Sequence, residues 1–126
     1  MSRPVTVRSI NDVTAEPTNH GALKKVLVRH ADVDAPLMFL NEVYVAPGED
    51  LKSHSHYDME EIFYFLEGEG VMRVEEEDHP VAPGVSFVMP ARVEHYLKNT
   101  GATSMRFICF GVKERAAVKE WADSRA

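Results

Sequence analysis

From residue 24 onward the chain is a succession of short apolar runs, KKVLVRH, LMFLNEVYV, EEIFYFL, VMRVEEE, VSFVM, HYLKN and MRFICFGV. Each is rich in Val, Ile, Phe, Tyr or Met, the residues that fit a pleated, half-buried surface. APG at 46–48, GEG at 68–70, APG at 82–84 and NTG at 99–101 punctuate them, and glycine, proline and asparagine supply the backbone geometry of turns. Short strands at this regular spacing predict an antiparallel sandwich or barrel.

The ends have a different texture. Residues 1–22 mix Pro4, Pro17, Asn11, Asp12 and Asn19 without periodicity, which predicts an extended N-terminal arm. Residues 113–126, KERAAVKEWADSRA, place Ala117 and Trp121 four apart among charges, which predicts a short C-terminal helix laid on the barrel. Together these segments make one domain over residues 1–126, the size expected for a single core. The net charge of −6 comes with no basic run, so a nucleic-acid partner is not expected. The start has no signal-peptide pattern and no apolar run is long enough to span a membrane. A single cysteine, Cys109, forbids an internal disulfide and suits a reducing cytoplasm.

The run Ile62 to Leu66 is apolar at both parities. If Glu61, Phe63 and Phe65 face inward, Ile62, Tyr64 and Leu66 face outward and need a cover. The arm, the helix or a second subunit could supply it, and a homodimer is the expectation.

Just before this run stands His54-Ser55-His56. On an extended chain, residues i and i+2 point the same way, roughly 7 Å apart at the backbone, so both imidazoles can converge on one ion. Glu61 shares parity with the inward phenylalanines, and a carboxylate facing a core needs a compensating cation or hydrogen bonds. Among the remaining histidines, His20, His30 and His79 read as surface residues. His95, where PARVEHYLKN turns into a strand, is the best candidate for a further ligand.

In these residues the chain resembles the cupin superfamily. Its first motif is matched by Gly48, five residues, His54 and His56, four residues, Glu61, six residues and Gly68. Its second is matched in spacing by Gly84, Pro90, His95 and Asn99, with Arg92 where the family has glycine. The resemblance implies an all-β double-stranded β-helix (jelly-roll) barrel, with His54, His56, Glu61 and His95 as metal ligands inside it. Arg92 in place of glycine implies a turn of ordinary φ.

Three imidazoles and one carboxylate suit Fe, Mn, Ni, Co, Cu or Zn, so ligand type does not select the metal. A divalent ion with one carboxylate leaves a local positive charge, which favours an anionic or chelating small molecule. Parity places Phe63, Phe65, Phe87, Met89 and Leu97 inside the barrel, and these with Arg92 are the expected substrate pocket. Cys109 shares parity with Met105 and Phe107 and reads as a buried thiol. The expected function is a metal-dependent enzyme, a dioxygenase first, in which Glu61 could also act as a base. The alternatives are a non-catalytic binding or sensing module and an isomerase, epimerase or lyase on the same scaffold, since fold alone does not fix chemistry.

Overall fold

A computed structural model of the chain describes residues 4–118 and 123. Ten strands are seen among them, arranged in two antiparallel sheets of a jelly roll. They are β1 (Glu16–Pro17), β2 (Leu23–Arg29), β3 (Leu37–Val45), β4 (Asp50–His54), β5 (Met59–Glu67), β6 (Gly70–Val74), β7 (Glu77–Val81), β8 (Ser86–Met89), β9 (His95–Asn99) and β10 (Met105–Lys113). The larger sheet has the order β1-β2-β3-β10-β5-β8, and the smaller has β4-β9-β6-β7.

Alternation sorts the side chains. Phe63 and Phe65 on β5, Met105 and Phe107 on β10, and Val43 and Val45 on β3 point into the core. Leu51, Met72, Val81 and Leu97 meet them from the smaller sheet. Phe107 centres the aromatic packing, its ring 4.9 Å from Phe65 and 5.7 Å from Phe63. Both are separations at which offset or tilted rings attract. On the outer face of the larger sheet Tyr64 is 45% and Val88 67% exposed, beside the half-buried Ile62, Ile108 and Phe110.

Two of the motif positions act through the backbone. Gly68 has φ +91°, and a Cβ there would lie 2.7 Å from the Cα of Met105. Asn99 is buried at the end of β9, where its Nδ2 donates to the carbonyls of Val45 and Thr103, both at 2.9 Å, and its Oδ1 accepts from the Gly101 N–H. It ties the end of β3 to the loop between β9 and β10 with its polar atoms satisfied.

The segment before β2 is partly ordered into structure the sequence does not announce: a 3-10 turn at Ile10–Asp12, and β1 paired with β2. Arg8 fastens it, donating to Asp32 at 2.7 and 3.1 Å and to the Leu27 carbonyl at 2.8 Å. At the other end residues 115–118 are helical. Trp121 and the rest of the expected helix lie outside the described residues. No helix among the described residues is long and apolar enough to cross a membrane.

Candidate metal centre

The four expected ligands come from both sheets. His54 ends β4 opposite His95, which opens β9. His56 follows two residues beyond the strand, and Glu61 enters from β5 in the other sheet. One ligating atom from each lies within 4.8 Å of all the others.

Backbone carbonyls set the imidazole tautomers. His54 Nδ1 donates to the Lys52 carbonyl at 2.7 Å, and His95 Nδ1 donates to the Val93 carbonyl at 3.0 Å. Each ring therefore presents a bare Nε2 lone pair to the interior, the arrangement in which histidine ligates metals. Burial lowers the pKa of His54 to about 4, so its ring is neutral across the physiological range. Burial alone would raise the Glu61 carboxyl, but positive charge gathered where His56 and His95 converge on it outweighs that and holds it below the usual carboxylate range.

Glu61 Oε1 lies 2.7 Å from His56 Nε2 and 3.2 Å from His95 Nε2. Yet all three atoms are buried without an aligned hydrogen bond. They aim at a common point rather than at each other. For His95 a lone pair faces a carboxylate lone pair, which repels unless a cation lies between them. Ligands at about 2.1 Å from an ion and at right angles to one another stand about 3 Å apart, the spacing seen here. These residues fit a transition-metal ion, which would leave coordination positions open toward the cavity.

The Cys109 thiol is buried and donates to Glu61 Oε2 at 3.2 Å. Burial, reinforced by the Glu61 charge, pushes its pKa well up, so it stays a neutral donor. It holds one carboxylate oxygen and leaves the other free for the ion.

The centre opens on a cavity of about 330 Å³. Its lining crosses the inner face of the larger sheet, from Glu61 and Phe63 through Phe107 and Cys109 to Phe39, Asn41 and Val43, then Lys24 and Val26. Of the expected pocket residues, Phe63 lines it. Phe65, Met89 and Leu97 are packed in the core, and Phe87 rests edge-on against Phe65 at 6.0 Å, none of them on the cavity wall.

Arg92 also stands away from the cavity, and its expected ordinary φ is overturned. Its φ is +65°, so the turn keeps the left-handed conformation without the glycine. Four bonds hold it there. Its N–H donates to the His56 carbonyl at 2.6 Å, and its guanidinium donates to the Tyr57 carbonyl at 2.6 Å and to Glu114 at 2.7 and 3.2 Å. Arg92 knits the loop of His56 to the turn before His95.

Sequence reasoning missed His20. Its ring stacks on His54 at 3.9 Å and 7°, and it lines the cavity rather than the surface. The contact is made because the His20 carbonyl accepts from the Lys52 N–H at 2.8 Å, a pairing with no local signature. Asn41, Lys24 and Arg29 are further polar lining residues that the sequence reading passed over, while His30, read as a surface residue, is exposed at the cavity's edge. Asn41 alone left a signal there, a polar residue at inward parity in LMFLNEVYV.

Comparison with known proteins agrees with this architecture. The chain is 34% identical over 70 residues to an uncharacterised protein of Methanocaldococcus jannaschii, covering 56% of each. It is 34% identical over 62 residues to an oxalate-binding protein of Thermotoga maritima, covering 49% of this chain and 51% of that one. The chain thus spans about half the length of the curated relatives it matches. In three dimensions it is similar to a predicted oxalate decarboxylase from Thermotoga maritima, with TM-score 0.81 and 23% identity over 86% of this chain and 100% of that one. It is also similar to the polyketide cyclase RemF from Streptomyces resistomycificus, with TM-score 0.75 and 24% identity over 88% of this chain and 81% of that one. At such identities the likeness is one of fold. The cupin domain family, however, matches in sequence across residues 41–111, the stretch that carries all four converging side chains, and to that family this chain belongs.

Proposed function

We propose that this protein binds one divalent transition metal through His54, His56, Glu61 and His95 and is an enzyme acting on a small, chelating, anionic molecule. The observation that carries this reading is the set of three bare, buried atoms, His56 Nε2, His95 Nε2 and Glu61 Oε1, converging beside a cavity. When bound, the metal supplies a Lewis acid and a template for substrate oxygens. The chain's own residues do the rest. Phe39, Phe63 and Phe107 exclude water from the ion, and Lys24, Arg29 and His30 make the far rim basic, which draws an anion inward. Lys24 and Arg29 also lie 3.9 and 3.7 Å from Glu16, which tempers that rim. Glu61 serves as ligand, one oxygen held by the Cys109 thiol and the other presented to the ion.

We assign the chemistry to the oxygenase class, on the strength of an apolar pocket against a site with open positions. A redox-neutral role is the second reading, favoured by relatives named for oxalate binding and polyketide cyclisation. We further propose a cytoplasmic location, from the lone buried thiol, and a homodimer in which a second copy covers Tyr64 and Val88. Elemental analysis of native protein, followed by oxygen uptake with chelating carboxylic acids after that metal is restored, tests the assignment. Stoichiometric metal with substrate-dependent uptake is expected. Turnover unchanged without oxygen moves the protein to the redox-neutral class, and absence of bound metal overturns the site.

A further inference from the structure

Asn41 is an anomaly in the strand that carries it. It sits at the centre of β3 with Phe39, Val43 and Val45 on the same inward face, and it is 7% exposed. Its Oδ1 is buried with no hydrogen-bond partner, and its side chain lines the cavity of the metal centre. Leaving a buried carbonyl oxygen unpaired costs a domain more than a well-made hydrogen bond returns. A leucine or valine would remove that cost at this position, and the neighbouring inward positions of β3 are apolar. The amide is therefore suited to something that enters the cavity.

Topology fixes where that something must reach. Asn41 pairs with Cys109 on β10, and Cys109 pairs with Phe63 on β5. Two strand spacings, about 10 Å, separate its backbone from β5, the strand that carries Glu61. The wall between them is Cys109, with Phe39, Val43, Phe63 and Phe107 around it. A molecule chelated at one end thus lays an apolar, ring-sized body against phenylalanines and meets Asn41 at the other. A hydroxyl is the group that fits there, because it donates to an amide oxygen and accepts from an amide nitrogen alike.

We infer that the ligand of this cavity carries a hydroxyl remote from its metal-chelating head, and that Asn41 is the residue that selects for that hydroxyl. The inference rests on the metal site proposed above. It makes Asn41 a specificity determinant, since a site built to pair a ligand hydroxyl discriminates against the analogue that leaves it unpaired.

The test uses the full chain loaded with Co(II), whose visible absorption reports ligand exchange. The probes are benzohydroxamate, a bidentate chelator, and its 3-hydroxy, 4-hydroxy, 3-methoxy and 4-methoxy derivatives. At least one hydroxy derivative is expected to bind the wild type about tenfold tighter than the parent. The matching methoxy compound, which cannot donate, should show no such gain. In Asn41→Leu the preference should shrink to within about twofold, with parent binding and cobalt content kept. The metal-free variant should melt no lower than the wild type, because an orphaned oxygen has been removed. Equal binding of hydroxy and methoxy probes to the wild type overturns the inference without recourse to the variant. So does a hydroxyl preference that survives in Asn41→Leu. If benzohydroxamate itself leaves the cobalt spectrum of the wild type unchanged, the metal-site reading falls and the inference with it.

Discussion

The thiol of Cys109 donates to one oxygen of Glu61 across 3.2 Å, while the other oxygen faces His56 and His95. The carboxylate is thereby divided into a held oxygen and a presented one. Partners that orient a ligand in this way contribute about 10–100-fold to metal affinity. Cys109→Ala should weaken metal binding within that range while leaving the stoichiometry at one. Cys109→Ser, which keeps a donor, should recover most of the loss. Competition against a chromophoric chelator measures both, and equal affinities in all three proteins would deny Cys109 this role.

The metal-free protein should have an acid-sensitive fold. The folded pKa of His54 is lowered by burial to about 4, against about 6.5 in an unfolded chain. Between these values the unfolded state binds more protons, so stability rises with pH across this window. The metal-free protein should be at full strength above about pH 6.5 and should weaken as pH falls toward 4. His54→Gln should flatten that slope. Thermal melts of chelator-treated protein from pH 4 to 7.5 supply the check.

Arg92 separates conformation from contact. At φ +65° a non-glycine residue stands in a region costing about 1–2 kcal/mol. Arg92→Gly relieves that cost but loses the bonds to Tyr57 and Glu114, whereas Arg92→Ala loses the bonds and keeps the cost. Urea unfolding should therefore rank Arg92→Ala below Arg92→Gly by about 1 kcal/mol. The reverse order would mean that the left-handed turn is not maintained in solution.

The arm before β2 depends on Arg8 and Asp32. The Arg8 hydrogen bond, with help from the Arg29 N–H, brings the Asp32 carboxyl down to about 2. A depressed carboxylate stabilises above its ordinary value, about 3.9, and that contribution is lost as pH falls through the folded pKa. An NMR titration should find Asp32 ionised down to about pH 2 in the wild type. In Arg8→Ala its midpoint should move back toward the ordinary value, with faster proteolysis of the arm.

The exposed pair Tyr64 and Val88 tests the proposed dimer. Val88→Lys places a charge on that face and should shift sedimentation at micromolar concentration toward monomer, with metal content unaltered. A wild type that is already monomeric would leave the face without a second copy.

How much of this was legible in the sequence depends on where each signal lay. Runs such as EEIFYFL and MRFICFGV carry their strand character in consecutive residues, and β5 and β10 follow them closely. The ligand spacing was legible too, because His54, His56 and Glu61 lie close together and His95 opens a strand. β4 and β7 were not. DLKSH has one apolar residue and EDHPV contains a proline, so pairing with β9 and β6 supplies what propensity does not. His20 reaches His54 through a backbone bond between distant segments, which no local pattern encodes. The φ of Arg92 is likewise imposed by partners in two other segments.

The strand order also has a consequence for how the chain is made. β10 is the last of the described strands in sequence yet stands between β3 and β5 in the larger sheet. Until residues 105–113 leave the ribosome, those two strands have no neighbour on the flanks they will share. Synthesis proceeds at about 5–20 residues per second, so the unfinished sheet shows two open edges for several seconds after β5 has emerged, a period in which stray strand pairing competes with folding. The same delay applies to the thiol that orients Glu61, because Cys109 arrives on the closing strand. A nascent chain halted at residue 104 should accordingly be held by chaperones, and one extended past Lys113 released. Assembly of the barrel and completion of its candidate metal centre become a single late event.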